Sequence, residues 1–226
     1  MLVPYRADVP MSRWPIANWV ALGLIVLMFP LSMALSERQV LSLVLSGWSP
    51  AGLLGYMWLH AGAFHALGNM VFLWVFGNAV CAKLGNWVYL PVYVALGVAA
   101  GALHLLFSGA PVVGASGAIN GIVGMFLVLY PINEITCFYW FGFWWGTFSI
   151  SSYWLILLWF AFDILGAATG ARGVAYMAHV GGFVAGAGLA LLMLKSGWIR
   201  MDQDESSLLD VLRGRPVEAT SWRSRR

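Results

Sequence analysis

The length of its apolar runs constrains this chain more than any other feature. Six stretches, at about 15–35, 63–82, 87–107, 116–131, 150–168 and 175–195, hold only Asp163 and the terminal Lys195 among acidic and basic side chains. A helix needs roughly 20 apolar residues to cross a bilayer. With no water in lipid, only helices and closed barrels satisfy their backbone there. Barrel strands alternate lipid-facing and lumen-facing residues, and these continuous runs do not. Composition agrees: 61% of residues are hydrophobic and only 9% charged, against about 25% charged in soluble domains. The expected fold is all-α, a polytopic six-transmembrane-helix bundle. Residues 1–14 form a cytoplasmic N-terminal segment, 15–195 the membrane domain and 196–226 a cytoplasmic tail. The first run, from Trp14 to Leu35, exceeds the 7–15 residues of a signal-peptide core and contains Pro15 and Pro30, so it reads as a span.

Charge orients the bundle. With the N-terminus inside and six helices alternating, Arg6, Arg13, Lys83, Lys195, Arg200, Arg213, Arg215, Arg223, Arg225 and Arg226 fall on the cytoplasmic side. Only Arg38 and Arg172 fall outside. Ten against two is a positive-inside bias. The net charge of +3 then serves topology and attraction to anionic lipid. No basic face interleaved with exposed aromatics is present, so nucleic acid is not an expected partner. Cys81 and Cys137 fall inside, where a reducing compartment keeps thiols free. The expected location is a bacterial inner membrane. The loop from Glu37 to about Gly62 carries Trp48, Pro50 and Trp58 and is expected to lie in the outer interface. The stretch Pro131 to Ser151 is crowded with Phe138, Tyr139, Trp140, Phe141, Phe143, Trp144 and Trp145. Aromatics gather at headgroup level, so it reads as an interfacial cytoplasmic loop that can extend the fifth helix. In the tail, Asp202, Asp204, Glu205 and Asp210 precede an Arg-rich end, a pattern for a short helix and a disordered basic terminus.

Polar groups inside a membrane are costly and demand an explanation. Here they are His60, His65, Asn69, His104, Ser116, Asn120, Asp163 and His179. His60, His65, Asn69, Ser116 and His179 come from three helices, at a similar level near the outer face. Gly117, Gly121 and Gly124 on the fourth helix, and Gly182 and Gly186 on the sixth, recur at helical spacing. Small residues let membrane helices approach closely, which brings the Ser116 hydroxyl within reach of the His179 ring, as a nucleophile and its base require. Ser116 lies in Gly114-Ala115-Ser116-Gly117, at a loop-to-helix junction where unpaired N–H groups attract negative charge. His65 and Asn69, one turn apart, can both donate to an oxyanion.

His60-x4-His65-x3-Asn69, Gly114-Ala-Ser116-Gly117 and Ala178-His179-Val-Gly-Gly182 together resemble the signature of the rhomboid intramembrane serine proteases, over about residues 15–195. The resemblance implies a rhomboid-like bundle and an endopeptidase that cuts transmembrane segments of other proteins near the outer face. It implies Ser116 as nucleophile and His179 as general base and acid. His65, Asn69 and the Ser116 backbone N–H would line the oxyanion hole. His60, Gly114, Gly117 and Gly182 would be supporting residues. Two departures stand out. Trp48 is followed by Ser49 rather than Arg, and Asn120 replaces the aromatic that often follows the serine by four residues. Asn120 is expected to hydrogen-bond and orient His179. No acidic third member is evident, so a Ser-His dyad without cofactor or metal is expected. His104 is expected to be structural, and Asp163 to have a structural or interfacial role, the alternatives being to line the substrate entrance or meet Arg172.

Three other functions were weighed. A rhomboid-like pseudoprotease would bind membrane clients without cutting, but serine and histidine are both present. A metal or haem protein would use the four histidines, but HExxH is absent and no Cys or carboxylate joins them. A channel or transporter lacks support without inverted repeats or paired broken helices. The sequence is silent on oligomeric state.

Overall fold

A computed structural model describes residues 2–215. Six helices make the bundle: α1 (Ile16–Ala34), α4 (Ala63–Leu84), α5 (Asn86–Phe107), α6 (Ser116–Leu129), α7 (Ser152–Thr169) and α8 (Tyr176–Lys195). Two short helices, α2 (Glu37–Leu43) and α3 (Pro50–Gly55), fill the loop after α1. The five longer helices suffice to cross a membrane. α6 has only 14 residues, about 21 Å at 1.5 Å per residue. It is apolar all round and buried on every side, so it forms the bundle's centre. A central helix shorter than the hydrocarbon thickness leaves its first residue, Ser116, sunk below the bundle's end.

Backbone packing between α6 and α8 follows from glycine. A Cβ at Gly182 would overlap the Gly117 carbonyl oxygen, and one at Gly186 would overlap that of Gly121. Only hydrogen fits, and the expected small-residue contact is present. On the far side of the bundle a polar network takes over. α4 carries one π-turn at Leu73–Gly77. The fully buried Asn18 of α1 donates to the Leu73 carbonyl at 3.0 Å and to Asn78 Oδ1 at 2.8 Å, and accepts from the Tyr89 hydroxyl at 2.6 Å.

The stretch expected as an aromatic loop is a β-hairpin. β1 (Leu2–Ala7), β2 (Glu134–Phe141) and β3 (Trp144–Ser151) pair antiparallel in that order, an addition to the helical bundle. Aromatic and β-branched side chains favour a pleated surface, and Gly142, at φ +62°, supplies the reversal. The fifth helix therefore starts only at Ser152. At this end of the molecule the tail folds back. The buried Lys83 ammonium pairs with Glu205 and, at 3.1 Å, with Asp202, while the Tyr130 hydroxyl donates to Glu205 Oε1 at 3.4 Å. A short helix, α9 (Leu208–Leu212), follows a capping box at Ser207. The basic terminus expected at 216–226 lies outside the described residues. Cys81 and Cys137 are buried and unpaired.

Candidate active site

The loop before α6 is held from two directions. Leu45 and Val112 exchange backbone hydrogen bonds of 3.1 and 3.0 Å, and the Gly114 N–H donates to the Tyr56 carbonyl at 2.8 Å. Gly114 has φ +127°, and a Cβ there would press within 2.8 Å of the His65 ring. Glycine is needed twice over: for the backbone turn and to let the imidazole of α4 lie beside the serine loop. Ser116 then opens α6, where helix geometry leaves the first N–H groups without intrahelical acceptors.

Ser116, His179, His65, Asn69 and Asn120 line one cavity of about 560 Å³, walled by Phe64, Phe72 and Ile119 and by Val112, Val113 and Val174 from the loops. The structure thus brings together one or two polar residues from each of the three motifs, with His60 outside the cavity. Ser116 and His179 share the cavity without a direct hydrogen bond, a spacing common in unliganded sites. Asn69 is buried, and its Nδ2 has no hydrogen-bond partner among the described residues. A buried amide left unsatisfied costs about 1–3 kcal/mol, and this one lines the cavity beside Ser116.

His60 stands behind His65, ring against ring at 5.2 Å. It is buried, and neither ring nitrogen makes a hydrogen bond among the described residues. Burial, with the His65 charge adding to it, pushes this imidazole down to about 4, and the nearby Trp58 backbone opposes the shift only weakly. His60 is therefore neutral at physiological pH. His104 is structural: its Nε2 donates to the Ala110 carbonyl at 2.7 Å and closes the turn after α5.

Two expectations are corrected. Asn120 does not orient His179: its Nδ2 donates to the Ser116 carbonyl one turn back, at 3.0 Å. The histidine is met instead by Asp163 of α7, whose Oδ1 lies 2.9 Å from His179 Nδ1. A histidine with no acidic neighbour is thus not what the chain builds, and among the described residues Asp163 pairs with His179 and not with Arg172. A carboxylate only accepts, so in this bond the Nδ1–H of His179 donates. Helical spacing places Asp163 and His179 each on a face of its own helix, but it does not say which faces meet. The available signal was the solitary acid itself, since an ionisable group inside a span requires a partner.

Comparison with known proteins sets this geometry in context. Residues 47–196 match the family model described as Rhomboid domain. The chain is 37% identical over 76 residues to Rhomboid protease GluP of Bacillus subtilis, covering 34% of this chain and 15% of that protein. It is 28% identical over 151 residues to Rhomboid protein 1, mitochondrial, of Saccharomyces cerevisiae, covering 61% of this chain and 40% of that protein. It is 30% identical over 159 residues to RHOMBOID-like protein 7 of Arabidopsis thaliana, covering 70% and 47%. The chain spans less than half the length of each of these relatives.

Proposed function

The chain belongs to the rhomboid family, and from that premise we propose that it is an intramembrane serine endopeptidase that cleaves transmembrane segments of other membrane proteins. The observation that carries this reading is the single cavity, sunk at the start of the short central helix, that holds Ser116, His179, His65 and Asn69 together. Hydrolysis needs water, a nucleophile, a base and oxyanion donors in one place, and a membrane interior otherwise excludes all four.

In the proposed reaction a substrate helix enters laterally and unwinds locally. His179 Nε2 takes the proton from Ser116 Oγ, and Oγ attacks the scissile carbonyl carbon. The oxyanion is held by the Asn69 amide, the His65 ring and the Ser116 backbone N–H. As the tetrahedral adduct collapses, His179 gives its proton to the leaving amine. Water, deprotonated by His179, then attacks the acyl carbon, and His179 returns that proton to Ser116 Oγ as the ester bond breaks and the carboxyl product leaves. A second cavity of about 240 Å³, lined by Phe72 of α4 and Trp159, Phe162 and Asp163 of α7, also reaches His179. It marks a seam between α4 and α7 along which an unwound segment can approach. The charge distribution supports an orientation with both termini in the cytoplasm, which puts the Ser116 end of α6, and the cut, near the outer face.

The test is cleavage of a single-span substrate by purified protein in lipid. Ser116→Ala is expected to abolish product formation, and His179→Gln to lower it by roughly 10⁴-fold or more. Equal cleavage by wild type and Ser116→Ala, or none by wild type, overturns the reading. The second result would leave a client-binding pseudoprotease.

A further inference from the structure

Asp163 is the single acid in the six spans. An acid there is costly and must be matched by a partner. Its recorded partner among the described residues is His179, at 2.9 Å, across the contact between α7 and α8. Both side chains are 15% exposed, so the bond sits at the cavity edge and not in bulk water. The alternative orienting group, Asn120, is engaged with its own helix.

We propose that Asp163 is a positioning residue for the proposed hydrolysis, holding the His179 ring in the Nδ1–H tautomer so that Nε2 faces the serine hydroxyl. The inference rests on the endopeptidase reading above and adds to its serine and histidine a third group that orients the ring without taking a proton. The carboxylate fixes the ring plane and stabilises the imidazolium that forms when the Ser116 proton arrives. No proton leaves His179 for Asp163. α7 thereby contributes to the chemistry without touching the scissile bond.

The experiment uses the full chain in lipid nanodiscs. Two rates are measured for wild type, Asp163→Asn and Asp163→Glu: turnover of a single-span substrate, and labelling of Ser116 by a small fluorophosphonate, with Ser116→Ala as the blank. The small probe needs an activated serine but no route for a substrate helix. Asp163→Asn is expected to lower both the labelling rate and kcat by at least about tenfold, with KM little changed, and Asp163→Glu to restore part of each. ¹⁵N-histidine spectra of the wild type, assigned with His179→Gln, are expected to show the Nδ1–H form. Labelling of Asp163→Asn within about twofold of wild type, at an unchanged thermal midpoint, overturns the proposal even where turnover falls. That pattern would place Asp163 on the substrate's path instead. An Nε2–H tautomer in the wild type overturns it independently of whether the variants fold. A wild type with no Ser116-dependent cleavage removes the endopeptidase reading itself, and this one with it.

Discussion

At position 69 a buried amide nitrogen has no hydrogen-bond partner among the described residues and lines the cavity that holds Ser116. If the Asn69 amide holds an oxyanion, Asn69→Ala is expected to cut kcat by roughly 10²–10³-fold with KM little altered, the signature of a donor engaged only in the transition state. Steady-state kinetics on a single-span substrate checks this, and a change confined to KM would assign Asn69 to substrate binding. Much of the site was legible in the sequence at this scale. Serine, histidines and asparagine sat in recognisable spacings, and a membrane span makes each polar residue conspicuous. The partner of His179 was not legible. Asn120 was the neighbour expected from the sequence, and that Asp163 takes its place depends on how α7 lies against α8.

Helices were legible from length and apolarity, and so was the glycine seam. What spacing did not disclose is how tightly α6 and α8 close on it. Carbonyl oxygens of Gly117 and Gly121 occupy the space where Cβ atoms of Gly182 and Gly186 would be, and backbone cannot yield as a side chain can. Gly182→Ala is expected to destabilise the bundle by about 1–3 kcal/mol as an overpacked contact. Gly188→Ala, on the same helix with nothing within 4 Å of the added methyl, is expected to be neutral or slightly stabilising. Thermal midpoints of the two variants, measured side by side, decide it; equal losses would mean that helix propensity and not contact governs. The hairpin was illegible for a different reason. Polar and apolar residues alternate only over Glu134–Cys137 and Thr147–Ser151, and the exposed run of Trp140, Phe141, Phe143, Trp144 and Trp145 between them interrupts the pattern that announces a half-buried sheet.

Across the whole molecule, the catalytic end and the sheet end are secured by different physics. Packed backbones and a loop bridge hold the first, and a buried ion cluster holds the second. Lys83→Met would leave Glu205, 3% exposed, without its cation. Removing one partner of a buried pair costs about 3–5 kcal/mol. The expected result is a lowered thermal midpoint and early protease cutting after residue 195, with Lys83→Met/Glu205→Gln recovering part of the loss. An unchanged midpoint in the single variant would show that the tail is dispensable for the bundle. The sheet carries a consequence for how the molecule is made. Leu2 pairs with Tyr139 and Ala7 with Ile135, so the opening strand meets its neighbour only after four spans have been synthesised. At 5–20 residues per second this delay is on the order of ten seconds. Through that interval an unpaired edge is a template for any passing chain. Pro4, Arg6 and the register shift between them make this strand a poor one, so the nascent protein carries its own protection against premature pairing at the ribosome.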